Sequence, residues 1–503
     1  MTPQQAYERL SVRSMEASYL GSAIGVLHWD QSTYIPRKGH VHRANQLSAL
    51  AGMKHGLTTD PVIGEWLEIV EGSDLVKDRL SVEAVNIREW RRLYDRNVRI
   101  PESLAVNLAR AAAEAQPVWE EARVRDDWNM FKPHMAGMVS LKREQAEALG
   151  YDDEPYDALL EYYEQGETAR RLETVFARLR TALTDLLNRI RDSPVRPDSS
   201  IRRRRFPIAD QERFAVDVAR KLGYDFAGGR LDVSAHPFTQ GVGPGDVRIT
   251  TRYHEDSFNE AFFAVVHEAG HAMYHQGLPM EHWGMPICMP VSLGINESQS
   301  RMWENLVAGS VPFWKHFYPR ARERFPSLRD VPLDDFHFSI NEVRPSFIRV
   351  EADEVTYNLH VLLRFELEVM LIRGELRVDD LPEAWNNGMT EYLGITPPDN
   401  ATGVLQDIHW ASGSIGYFPT YTLGNVNAAQ FFRQASRELG NMDALLENGD
   451  FGVLLGWLRE KIHSQGSRYS PRDLVRTVTN EDMNPDYLID YLEQKYGDLY
   501  RLR

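Results

Sequence analysis

The chain has 503 residues, 43% of them apolar, with 73 acidic against 57 basic side chains and a formal net charge of −16. That excess of negative charge repels nucleic acid and anionic membrane surfaces and argues against both as partners. A single cysteine, Cys288, excludes an intrachain disulfide and fits a reducing, cytoplasmic setting.

Length alone suggests about three domains. No internal repeat, low-complexity tract or flexible linker divides the chain, however, so a single large helical domain over 1–503 is expected. The first apolar run, Ala23 to Leu27, is short and follows Glu8 and Glu16, which is not the pattern of an export signal. No stretch approaches the roughly 18 consecutive apolar residues of a membrane helix.

In chain order, the pattern predicts helices over 3–28, 42–57, 75–98 and 102–125. The first is expected to break at His28-Trp29-Asp30. Trp29 there reads as a packed indole with its nitrogen satisfied. Between Glu167 and Ile190, apolar residues recur at three and four from Leu172 to Ile190, the mark of an amphipathic helix in a bundle. Arg202 to Arg205 is a run of four arginines; on so acidic a chain it reads as a solvated turn or a salt-bridged surface. Glycines then punctuate 228–253, and Leu231 to Val233 and Val247 to Tyr253 are β-branched and alternating, which predicts a small sheet of two or three strands. Helices resume over 300–315, 334–345, 348–374, 382–394, 426–438, 443–448, 451–464 and 484–498. The stretch from Gly403 to Gly424 between them is irregular. The fold class is therefore mainly α, with a small sheet running directly into the most informative segment.

That segment is 257–279, SFNEAFFAVVHEAGHAMYHQGLP, with His267-Glu268-Ala269-Gly270-His271 at its centre. On a helix the two histidines lie one turn apart on the same side and can grip one metal ion, with Glu268 beside them as a base. Ser257 and Glu260 have capping-box spacing. Phe258, Ala261, Phe262, Val265, Ala269, Ala272 and Met273 form one apolar stripe, and Gly277 and Pro279 signal a stop. Buried histidines and a buried Glu need partners; a metal supplies them, and a pair of hydrogen-bonded core histidines is the plainer alternative. A catalytic zinc takes three protein ligands and keeps an open position. Glu297, 26 residues beyond His271, is the candidate third ligand. Alone it reads equally well as a helix-start carboxylate favoured by the dipole.

Six motifs occur in order: His236-Pro237-Phe238; Asp246-Val247-Arg248-Ile249-Thr250; His267 to His271; Glu297-Ser298-Gln299; Ile348-Arg349-Val350-Glu351-Ala352-Asp353; and Gly403-Val404-Leu405-Gln406-Asp407-Ile408-His409-Trp410. Together they resemble the carboxypeptidase Taq type of zinc metallocarboxypeptidases along nearly the whole chain. Trp29-Asp30 and the segment Pro419 to Asn425 resemble that family too. The resemblance implies a helical shell around a deep groove, commonly a homodimer, that removes single residues from peptides with a free C-terminus. It implies zinc, with cobalt as a possible substitute, on His267, His271 and Glu297, and Glu268 as general base. His409, Tyr417 and Tyr421 are the candidate donors to the oxyanion; the resemblance favours His409 and Tyr421, with Tyr417 as a substrate-binding residue. It also implies Arg349, or second Arg248, for the substrate α-carboxylate, and His236 at one end of the groove. A structural salt bridge from Arg349 to Glu351 or Asp353 is the plainer reading of that arginine. One residue departs from the pattern: Asn296 stands where the family usually has His, which puts a hydrogen bond beside the third ligand in question.

Two other readings share the same motif. An oligopeptidase that releases dipeptides or cuts internally would tolerate an amidated C-terminus. A metal-stabilised scaffold without catalysis would have no use for Glu268.

Overall fold

The computed structural model describes residues 1–502. The chain is mainly helical, with one three-stranded sheet beside the helix Phe258–Gln276, which carries the HExxH motif His267 to His271. The N-terminal helices Pro3–Thr33, Pro61–Glu71 and Val82–Arg99 enclose a small apolar core of their own, including Leu10, Trp66, Leu67, Val70 and Ile87. Apart from the helix His40–Thr59, none of whose side chains is buried, the remaining helices share a much larger core, into which the helix Phe258–Gln276 is sunk. Among the described residues no helix is long and apolar enough to cross a membrane.

The strands are β1 (Leu231–Val233), β2 (Thr239–Gly243) and β3 (Asp246–Thr251), in the order β1-β3-β2. β1 pairs with β3 in parallel and β2 pairs with β3 antiparallel, Thr239 lying opposite Ile249. Val247, Ile249, Thr250 and Thr251 are buried, and β3 packs against the HExxH helix. β2 is thus an edge strand, and the first helix crosses beside it, with Ser22 hydrogen-bonded to the Val242 carbonyl.

The HExxH helix spans Phe258–Gln276, and its whole apolar stripe is buried. Phe258 and Phe262 stack with ring centroids 5.2 Å apart and meet Phe214 and Trp314. The capping box does not form: Ser257 is the N-cap but makes no side-chain cap bond. Glu260 is bound by Arg252 instead, Nε to Oε1 at 2.8 Å; the charged pair outcompetes the reach back to a backbone amide. Gly277 does end the helix.

Other expectations are corrected in detail. The first helix continues through His28-Trp29-Asp30 to Thr33. Trp29 is packed, but its nitrogen has no partner; Arg248 and Arg230 lie over its ring at 4.4 and 4.9 Å. The expected helix over 348–374 starts only at Thr356; just before it, Asp353 accepts from the Val355 and Thr356 amides, both at 3.0 Å. Arg349 instead opens a separate single 3-10 turn, Arg349–Glu351. The arginine run is salt-bridged as expected: Arg202 to Glu342, Arg204 to Asp330 and Arg205 to Glu255.

Candidate metal centre and active site

Glu297 reaches the histidines because two glycines let helices close around it. It lies on the helix Leu293–Arg301, wedged between the HExxH helix and the helix Pro419–Leu439. A Cβ on Gly270 would come within 2.6 Å of the Ser300 Cα, and one on Gly424 within 2.4 Å of the Glu297 Cγ. Neither approach is open to any other residue. The start of the Glu297 helix is held by a carboxylate from elsewhere. Glu164 accepts from the Ser292 hydroxyl and the Gly294 amide, both at 2.9 Å, and burial pushes its carboxyl up to about 8. Glu164 thus fills the helix-start role, and Glu297 is left to face the histidines.

One nitrogen of His267, one of His271 and one oxygen of Glu297 all lie within 4.8 Å of one another. Glu297 Oε2 is 3.8 Å from His267 Nε2 and 3.4 Å from His271 Nε2. The far side of each ring is committed. His267 Nδ1 is 2.7 Å from Glu304 Oε2, and His271 Nδ1 is 3.0 Å from Asn296 Oδ1. Both acceptors require the proton on Nδ1, so each Nε2 presents a lone pair toward Glu297. Asn296 therefore supplies the acceptor that the departure from His put in question. Arg301 ties the carboxylates together, with Nε at 2.7 Å from Glu297 and Nη1 at 3.1 Å from Glu304.

The charges suit a dication. Glu297 and Glu304 bring two carboxylates to the cluster and Arg301 one guanidinium, so with neutral imidazoles the cluster carries a net negative charge. Burial disfavours the charged forms of Glu297 and Glu304, yet Arg301 and His267 outweigh it and hold both carboxyls below their usual range. Burial lowers His267, but Glu297 and Glu304 outweigh that and raise it. A cation bound at the Nε2 atoms would satisfy the same field. The donor set of two imidazoles and one carboxylate, with hydrogen-bonded outer partners, is that of a catalytic metal site.

Glu268 is buried, and its Oε2 accepts a hydrogen bond from the Thr239 hydroxyl of β2 at 2.6 Å. The sheet thus forms one wall of the site. Arg248 lies on the same sheet, its guanidinium bound through Nε and Nη2 to Asp246 at 2.7 Å each. His236 is exposed, and its carbonyl accepts from the Ser234 hydroxyl.

An aromatic and basic group lies on the Glu297 side of the site. Tyr421 is three residues before Gly424 on the helix that touches Glu297. Its hydroxyl is 3.4 Å from His409 Nε2, and its ring centroid is 5.3 Å from that of Tyr417. Burial lowers His409 to about 4 and pushes Tyr417 up to about 12. Burial also raises Tyr421, and the Glu297 charge adds to the rise in both tyrosines. Arg349 is buried with its guanidinium 5.0 Å from the Tyr421 ring. Its salt-bridge partner is neither Glu351 nor Asp353 but Asp407, at 2.7 Å from Nη2; Nη1 donates to the Tyr357 hydroxyl at 3.0 Å. Arg364, wholly buried, binds the other Asp407 oxygen at 2.6 Å.

Glu304, Arg301 and Thr239 are the residues that sequence reasoning missed. Glu297, Arg301 and Glu304 are spaced at four and seven, which is a signal for one helical face. The wide π-helical turn Met302–Val307 keeps Glu304 turned toward His267.

Such a cluster on an HExxH helix defines a metallopeptidase, and the comparisons agree. Residues 9–496 match the model of the carboxypeptidase Taq (M32) metallopeptidase family. The chain is 54% identical to thermostable carboxypeptidase 1 of Thermus thermophilus over 99% of its own length and all of that protein. It is 39% identical to carboxypeptidase 1 of Bacillus subtilis, covering 96% of this chain and 97% of that one. The crystal structure of the M32 carboxypeptidase from Deinococcus radiodurans superposes with a TM-score of 0.96 at 36% identity, covering 99% of this chain and all of that one. The chain belongs to the carboxypeptidase Taq (M32) family and is a metal-dependent carboxypeptidase acting on peptides.

Proposed function

We propose that the metal is zinc, that Glu268 is the general base, and that the product is one amino acid per cycle from a free C-terminus. The observation that carries this reading is the convergence of two Nε2 lone pairs and the Glu297 carboxylate on the helix that carries Glu268, in a cluster of net negative charge. Zinc on His267, His271 and Glu297 would polarise the scissile carbonyl and acidify water; cobalt accepts the same donors. Glu268 takes the proton of the attacking water and passes it to the leaving amine.

His409 and Tyr421 serve the developing oxyanion. His409 stays neutral above about pH 4, and burial keeps the proton on the Tyr421 hydroxyl, so both can donate hydrogen bonds. Tyr417 packs behind them.

Arg349 is the candidate for the α-carboxylate. Arg349 and Arg364 share the single carboxylate of Asp407, leaving a buried excess of one positive charge that a substrate carboxylate would balance. Arg248, on the sheet wall, is the second candidate, and His236 borders the groove entrance. The position of β2 at the edge of the sheet, with Thr239 at its start against Glu268, supports binding of an extended peptide by main-chain hydrogen bonds.

The whole chain serves as one catalytic unit, working in the cytoplasm as a homodimer. The single, buried Cys288 supports the location. The helix His40–Thr59 supports the dimer: none of its side chains is buried, and Val41 and Met53 are 77 and 61% exposed. Light scattering of purified protein checks the dimer.

The reaction is tested with one peptide in free-acid and C-terminally amidated forms. The free acid is trimmed, and the amide loses most of its turnover. Equal turnover of both forms would support an endopeptidase or oligopeptidase instead.

A further inference from the structure

We infer that Thr239 is the positioning residue for Glu268. The inference rests on Glu268 being the general base. Thr239 Oγ1 lies 2.6 Å from Glu268 Oε2 and 3.0 Å from the Glu268 backbone carbonyl. A threonine hydroxyl has one proton to donate and lone pairs to accept with. The hydroxyl donates to the Glu268 carboxylate and fixes its rotamer, and its second contact, to the backbone carbonyl of the same residue, fixes where the hydroxyl itself sits.

The surroundings leave Thr239 little freedom. It opens β2, and its neighbour Phe238 is pinned on both sides: the Phe238 amide donates to Thr250 Oγ1 at 3.0 Å, and the Thr250 amide donates to the Phe238 carbonyl at 3.0 Å. Thr250 is fully buried and bound to Ser234 Oγ at 2.7 Å. The segment His236-Pro237-Phe238 and the strand Asp246 to Thr250 therefore meet at the residue just before Thr239. Part of what those two segments do is to place one hydroxyl against the base.

The test is kinetic and structural, on the metal-loaded enzyme and a peptide with a free C-terminus. Thr239→Val keeps the shape and removes the hydroxyl; Thr239→Ser keeps the hydroxyl. Thr239→Val is expected to lower kcat by about 10- to 100-fold, a fraction of what a general base contributes. KM, metal affinity and melting temperature should stay within about two-fold or a few degrees of wild type, and a crystal structure should show Glu268 in more than one rotamer. Thr239→Ser should recover most of kcat. In a Glu268→Gln background, Thr239→Val should add nothing. Wild-type kcat in Thr239→Val, or a loss that Ser does not rescue and that tracks metal affinity or melting temperature, overturns the inference. Full activity of Glu268→Gln alone would instead overturn the assignment of the base. An inactive Glu268→Gln with an unaffected Thr239→Val overturns only the role of Thr239.

Discussion

Gly424→Ala separates helix propensity from packing at the metal site. In a free helix, alanine for glycine is favourable by about 1 kcal/mol. At this position the new Cβ would lie 2.4 Å from Glu297 Cγ, 2.6 Å from its Cβ and 3.1 Å from its backbone carbon. Carbon atoms rest about 3.5–4.0 Å apart, so something must move by about 1 Å. The clash includes backbone, so a rotamer change at the tip of Glu297 does not relieve it. Overpacking of this kind costs roughly 1–3 kcal/mol, which equals or exceeds the propensity gain. The larger effect falls on the metal. Ligand distances tolerate about 0.2 Å, and a ligand helix displaced by several times that should lose affinity by at least about 10- to 100-fold. The assay is a competition titration against a chelator, with denaturant unfolding of the metal-free protein alongside. Gly456→Ala is the control, because a Cβ there meets nothing within 4 Å; it should leave affinity unchanged. Wild-type affinity in Gly424→Ala would refute the claim that close approach at this glycine seats the third ligand.

Glu304→Gln should weaken metal binding by about 10- to 100-fold without removing a ligand, since it replaces the charged acceptor of His267 Nδ1; isothermal titration reads it directly. Asn296→Leu should weaken binding in the same way through His271, whereas Asn296→His should remain close to wild type. Stability should fall on acidification. Burial lowers His337 to about 4 and His463 to about 3, from an ordinary value near 6.5. Because the unfolded chain takes up protons that the folded one refuses, their contribution is complete above about pH 6.5 and declines as pH falls toward the folded values. Each should withdraw up to roughly 3 kcal/mol between about pH 6.5 and 4.5. Denaturant unfolding of metal-free protein should show that slope, and His463→Gln should flatten it; an unchanged slope would contradict the burial argument.

What the sequence made legible was carried by local periodicity and by spacing along one helix. The HExxH helix, its apolar stripe, its stop at Gly277 and the small sheet are of this kind. Helices Trp128–Leu149 and Ile208–Leu222 gave weaker signals: Pro133 interrupts the first, and the second follows directly on the arginine run. The failed capping box and the late start of the helix at Thr356 both turn on side-chain pairings that periodicity does not show: Glu260 is taken by Arg252, and Asp353 accepts from the Val355 and Thr356 amides. Arg349 could be named from its motif, but its pairing with Asp407, 58 positions away, could not. Thr239 was hidden for the same reason: its bond to Glu268 joins a strand edge to a helix across 29 positions. Glu304 was within reach of helical spacing, since seven residues from Glu297 is two turns.

The central claim is that Glu268, beside a metal held by His267, His271 and Glu297, drives stepwise removal of C-terminal residues. Mass spectrometry of a free-acid peptide incubated with metal-loaded wild type and with Glu268→Gln tests it most directly. The account predicts a ladder of products, each shorter by one C-terminal residue, from the wild type, and intact peptide from the variant at equal metal content. Internal or dipeptide cleavage by the wild type, or an undiminished ladder from Glu268→Gln, would contradict it.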